Sequence, residues 1–173
     1  MDDTISTIEK LIKEHQEIRG NLRACDIFIS DIEQAQKLGE AMEGLVPGRL
    51  EDHKKKAAQL EHELVKVDNT LKAHFECEEE SLLSAFENNR LPELASALSK
   101  LVAEHQEISN HLADLKKLAA ECAAGDYSLS LWHEKAWRLR KGLYHVAQQI
   151  KEHSSKEDDL FRDARKLIQK QAA

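Results

Sequence analysis

The chain has 173 residues and a formal net charge of -7, with 41% hydrophobic and 33% charged residues. Six glycines and two prolines are about a third of the usual combined share, too few for the turns of a β-sandwich or barrel, and no stretch approaches the roughly 18 uninterrupted apolar residues of a membrane span. What remains is an all-α protein of long amphipathic helices, a single domain over residues 1–173 that is large enough to bury a core.

The first helix is predicted near 4–40. Around His15 its apolar residues fall at Leu11, Ile12, Ile18 and Leu22, one face of a 3.6-residue repeat. Gly20 lies inside it without having to break it. Break signals at Gly39, Gly44, Pro47 and Gly48 precede a second helix near 49–87, which carries His74 and, four residues on, Glu78, flanked by Val67, Leu71 and Cys77. Asn88 to Pro92 is the next break, and proline suits the first turn of the helix that follows, near 92–123. There His105 has Leu101, Val102, Ile108 and Leu112 on its face. Ala124 to Ser128 separates this from a fourth helix near 129–169, with Trp132 and Trp137 at its start, read as caps of the core, Gly142 inside, and His153 with Glu157 flanked by Val146, Ile150 and Leu160. Four long helices with short connections predict an antiparallel up-down-up-down four-helix bundle.

The chain repeats itself. Glu14-His15-Gln16-Glu17-Ile18 recurs as Glu104-His105-Gln106-Glu107-Ile108, and the His74-x-x-x-Glu78 segment recurs in outline as His153-x-x-x-Glu157. In an antiparallel hairpin, residues at one height are equidistant from the turn. The midpoint of His15 and His74 falls between residues 44 and 45, that of His74 and His105 between 89 and 90, and that of His105 and His153 at residue 129. All three lie at or beside a break signal, so the four histidines are predicted at one height, one per helix. Glu78 and Glu157 share the faces of His74 and His153 because i and i+4 align on a helix.

Six ionisable groups facing one core are costly unless compensated. Either histidine and glutamate pair as buried couples, or divalent metal neutralises the acids and takes the imidazole lone pairs. Four neutral imidazoles and two carboxylates leave a surplus of negative charge that metal removes, and mixed N/O ligation suits iron, manganese or zinc better than calcium or magnesium. The ferritin-like di-iron signature, with Glu three residues before His, is missing. Ile12, Leu71, Val102 and Ile150 occupy those positions.

In this order of residues the chain resembles the hemerythrin-like family of His/His/Glu cation-binding domains, four-helix bundles with a non-haem di-iron site. The resemblance covers nearly the whole chain. It implies that His15, His74, Glu78, His105, His153 and Glu157 are the metal ligands and that the cofactor is two iron ions, oxo- or hydroxo-bridged, with zinc or manganese as substitutes. Glu78 and Glu157 would bridge the ions, His15 and His74 would serve one, and His105 and His153 the other. The oxygen-carrying members place a further histidine four residues after the third-helix one. Here that position is Ser109, while His111 points elsewhere. This departure speaks against simple oxygen storage and for a partner that is a small diatomic or peroxide-type ligand, such as O2 or NO, in sensing, stress response or iron homeostasis. Repair of iron centres under nitrosative stress is a related reading, although those relatives usually carry an additional N-terminal cysteine-bearing domain. The reading from another class is a non-catalytic helical interaction module with a structural His/Glu layer or a single zinc.

Nothing else in the sequence carries chemistry. No nucleophilic triad, glycine-rich phosphate loop or Cys-x-x-Cys is present, so no catalytic residue is assigned and ligand binding is favoured over turnover. Basic residues are scattered apart from Lys54, Lys55 and Lys56, which argues against nucleic acid as a partner. Three cysteines on predicted helices, with no export signal at the start, point to reduced thiols and the cytoplasm. Cys77 is read as a small packing residue and Glu14 and Glu104 as solvent-facing or flanking the core. His53, His62, His111, His133 and His145 are placed on the surface.

Overall fold

The computed structural model describes the backbone of residues 2–41 and 49–172 and side chains within them, except those of residues 2, 28, 29, 31–41, 49, 50 and 172. Among the described residues every regular element is helical: α1 (Asp2–Ala41), α2 (Arg49–Glu76), a π-helical segment (Cys77–Leu82), α3 (Leu83–Asn88), α4 (Pro92–Ala124) and α5 (Leu129–Ala172). The expected helix bounds hold to within three residues, and Gly20 and Gly142 lie inside α1 and α5. Of the expected first break, Gly39 is helical, while Gly44, Pro47 and Gly48 lie outside the described residues.

One difference concerns the second expected helix. It is not uniformly α-helical, because a π-helical section begins three residues after His74 and contains Glu78. Such i→i+5 sections shift the residues after them around the helix axis. The next break forms as expected. Arg90 takes a positive φ of 58°, the Leu91 amide returns to the Phe86 carbonyl at 2.9 Å, and α4 starts on Pro92. At the third, Gly125 caps α4 by donating to the Glu121 carbonyl at 2.9 Å.

The chain forms two compact units. One comprises residues 1–19, 68–109 and 148–173, the other 20–67 and 110–147. In the first unit, Ile8 and Leu11 of α1 join Leu82 and Phe86, then Leu91, Leu94 and Leu98, then Phe161, Ala164 and Ile168 in one buried cluster. Cys77 packs half-buried against it. In the second unit the buried residues follow helical spacing: Leu22 and Cys25; Ala57, Leu60 and Leu64; Leu112, Leu115, Ala119 and Cys122; Trp132, Ala136, Leu139 and Leu143. Trp132 is fully buried and donates its indole N–H to the Cys122 carbonyl at 2.9 Å.

Two expectations change here, one of exposure and one of burial. His53 is buried, stacked on Trp132 with ring centroids 5.0 Å apart. Trp137 is 55% exposed, with the Lys141 ammonium over its ring, and does not cap the core.

Two outcomes follow. Trp132→Ala should lower unfolding free energy by about 3–5 kcal/mol and Trp137→Ala by less than about 0.5 kcal/mol, read from urea denaturation; similar losses would contradict this packing. Burial pushes the thiols of Cys25 and Cys122 up to about 12 and about 11. At pH 8 both stay protonated and enclosed, so a colorimetric thiol reagent should titrate Cys77 first and the other two only after denaturation.

Candidate metal centre

All six residues singled out in the sequence lie in the first unit and are buried. Glu78 and Glu157 are 0% exposed, His15 and His74 1%, His153 2% and His105 4%. Each sits on an otherwise apolar helix face, with Leu11 and Ile18 flanking His15, Leu71 flanking His74, Ile108 flanking His105 and Ile150 flanking His153. The hydrophobic stripe that buries the helix carries the imidazole in with it.

The atoms that could hold a metal form two groups that share both acids. His15, His74, Glu78 and Glu157 make one; Glu78, His105, His153 and Glu157 make the other, with one donor atom per residue, all within 4.8 Å of one another in each group. Each carboxylate faces both ways. Glu157 puts Oε2 3.0 Å from His15 Nε2 and Oε1 2.6 Å from His153 Nε2. Glu78 puts Oε1 3.3 Å from His74 Nε2 and Oε2 3.3 Å from His105 Nε2.

The outward nitrogen of every ring meets a further acid. His74 Nδ1 is 3.0 Å from Glu14 and His153 Nδ1 is 3.0 Å from Glu104. His15 Nδ1 is 2.7 Å from Asp158 and His105 Nδ1 is 2.8 Å from Glu79. Of the two places expected for Glu14 and Glu104, facing solvent or flanking the core, they take the second. They are half-buried and reach the imidazole of a different helix, each with its other oxygen beside an ammonium, Lys10 at 3.5 Å and Lys156 at 2.7 Å. Asp158, Glu79, Arg19 and Ser154 are not among the residues expected from the sequence. Arg19 donates to Asp158 at 2.6 Å and to Ser154 at 3.0 Å. The signal was available as an acid beside every ligand pair: Glu14-His15, Glu104-His105, Glu78-Glu79 and Glu157-Asp158. Aromatic rings close the layer, with Phe75 stacked on His105 at 3.7 Å and Phe161 parallel to His15 at 5.9 Å.

This arrangement tests whether the residues fit a metal. A neutral imidazole has one N–H, and donating it from Nδ1 leaves a lone pair on Nε2. Two such lone pairs then face each other at 2.9 Å between His15 and His74 and at 3.1 Å between His105 and His153. Nearby, all four oxygens of Glu78 and Glu157 are buried without a hydrogen bond among the described residues. Buried acceptors facing buried acceptors are strongly unfavourable unless a cation stands among them. Protons are the other remedy. Burial lowers His74 and His105, but Glu157 and Glu78 outweigh it and bring them up to about 10 and about 9. Burial would raise the Glu157 carboxyl, yet the surrounding imidazoles hold it far below its usual range. Protonation leaves the four carboxylate oxygens without hydrogen bonds in this geometry, whereas cations serve them and the imidazoles together. The residues fit metal.

The family model described as "Hemerythrin HHE cation binding domain" matches residues 33–164. The match takes in His74, Glu78, His105, His153 and Glu157 and leaves out His15. A search of curated proteins and one of solved structures each returned no match.

The outer acids should matter nearly as much as the ligands. Glu14→Ala and Glu104→Ala should each weaken metal binding roughly 10–100-fold, measured by competition with a chromogenic chelator. Unchanged affinity in both would show that the Nδ1 contacts do not hold the rings for metal.

Proposed function

Because the chain belongs to the hemerythrin HHE cation-binding family, we propose that His15, His74, Glu78, His105, His153 and Glu157 hold two iron ions and that the centre binds a small diatomic or peroxide-type ligand in sensing, stress response or iron homeostasis. The single observation that carries this reading is the set of four buried carboxylate oxygens without hydrogen bonds, each facing an imidazole Nε2. It disfavours a purely structural His/Glu layer, which would pair those oxygens.

Bound iron supplies a redox-active Lewis acid able to take a small ligand. The protein's part follows from its own residues. Glu78 and Glu157 face both histidine pairs and would help to hold both ions. The outer acids fix each ring with Nε2 inward. Phe75 and Phe161 cover two of the rings and limit water. The His105 side has Ser109 four residues further along α4, where the oxygen-carrying proteins that the chain resembles have another imidazole. One protein ligand fewer there suits ligand binding with sensing or iron handling better than oxygen storage. The fold reading that accompanies this is an antiparallel up-down-up-down topology. Its support is the alternation in the first unit: the apolar cluster lies before the histidine in α1 and α4 and after it along α2–α3 and α5. Three unpaired cysteines, two of them buried, support a reducing compartment, the cytoplasm.

Elemental analysis after expression in iron-supplemented medium should find about two iron per chain, and the air-exposed protein should absorb in the near ultraviolet. His74→Ala and His153→Ala should each remove about one equivalent. Less than about half an equivalent of any transition metal in the wild type would sink the proposal.

A further inference from the structure

Five histidines lie outside the buried centre, and two of them come together in the second unit. His111 of α4 and His145 of α5 meet edge to face, with ring centroids 5.3 Å apart and planes inclined by 62°. His111 is half-buried and His145 exposed, so both can be reached from solvent. They line a cleft of about 200 Å³ together with Asp114, Leu115, Arg138 and Gly142. Gly142 leaves this part of the cleft open: a Cβ there would stand 2.6 Å from Leu115 Cδ2, so a larger residue would make that methyl shift.

We propose that His111 and His145 form a second metal site, a two-imidazole chelate for a borderline divalent transition ion such as Zn2+, Cu2+, Ni2+ or Co2+. An ion held about 2.1 Å from one nitrogen of each ring lies about 3.2 Å from each ring centroid. Centroids 5.3 Å apart then subtend about 110° at the ion, the tetrahedral angle that zinc prefers. The rings come from different helices, whose backbones are held by buried neighbours, Leu112 and Leu115 beside one histidine and Leu143 and Val146 beside the other. Asp114, one turn from His111, contributes negative charge to the same cleft. It does not complete a three-residue set, since among the described residues such sets occur only at the buried centre. Solvent fills the remaining positions, which makes this an open, exchangeable site. Arg138 also lines the cleft and opposes the cation, but it is exposed, where water and salt screen its charge. This keeps the affinity moderate and favours soft binding through nitrogen over hard ions such as Ca2+ or Mg2+.

The test uses the iron-loaded protein, so that the buried centre is already filled. Zn2+ and Ni2+ are titrated by calorimetry into wild type, His111→Ala, His145→Ala and, as a control for other surface imidazoles, His62→Ala. Wild type and the His62 variant should take up about one additional ion, while each of the other two variants loses about tenfold or more in affinity, as expected when two tethered donors become one. Because the ion ties α4 to α5, Zn2+ should also raise the melting temperature of wild type and not of the two variants. Iron content, measured alongside, should be the same in all four proteins. Equal uptake by all four with equal thermal shifts, or uptake of no ion beyond the iron, would overturn the proposal and leave the histidine pair as an edge-to-face packing contact.

Discussion

Two carboxylates buried completely among four imidazoles are the constraint on which the first unit is built. Glu78 and Glu157 are 0% exposed, and their four oxygens receive no hydrogen bond among the described residues. An isolated carboxylate in such a place is among the most expensive groups a protein can bury. Every neighbouring feature moderates that cost. The imidazoles turn Nε2 toward the acids, the outer acids hold the rings in that orientation, and apolar side chains close the layer above and below. A cation placed among these atoms converts the costliest feature of the fold into its binding energy, which ties folding to metal in the way familiar from other metal-dependent domains.

The outer sphere follows the internal repeat up to a point. Glu14 and Glu104, each one residue before a histidine, support the histidine of another helix, and Asp158 and Glu79, each one residue after a buried glutamate, do the same. Beyond that the two halves differ. On the His15 side Arg19 links Asp158 to Ser154. On the His105 side the position equivalent to Arg19 is Ser109, and Phe75, equivalent to Ser154, stacks on the ring. One half thus adds an arginine link and the other a closely stacked aromatic face, so two ions in this centre would meet different surroundings although their nearest donors match.

Much of this was legible in the sequence because two independent signals agree. The break residues and the histidine spacing place the same four residues at one height, and the i, i+4 rule adds the glutamates. What escaped has identifiable causes. Adjacent helix positions diverge by about 100°, which turned Glu14 and Glu104 outward on a lone helix. In the folded unit that direction meets the next helix, and a glutamate is long enough to reach its imidazole. The π-helical segment has no composition of its own, since Cys77-Glu78-Glu79-Glu80-Ser81-Leu82 reads as ordinary charged helix. His53 escaped because its partner, Trp132, is distant in sequence and nothing in the spacing joins them.

His15 shows how far each kind of information reaches. The family match begins at residue 33 and spans five of the six residues. The sixth rests on the repeat: Glu14-His15 stands to His74 as Glu104-His105 stands to His153, in sequence and in hydrogen bonding alike. Without His15 the first group would keep one imidazole against two in the second, and Glu157 Oε2 would lose its nearest nitrogen, at 3.0 Å. With His15 in place each carboxylate faces two imidazoles on either side, and α1 brings it there with the same five-residue segment, Glu14 to Ile18, that α4 repeats as Glu104 to Ile108.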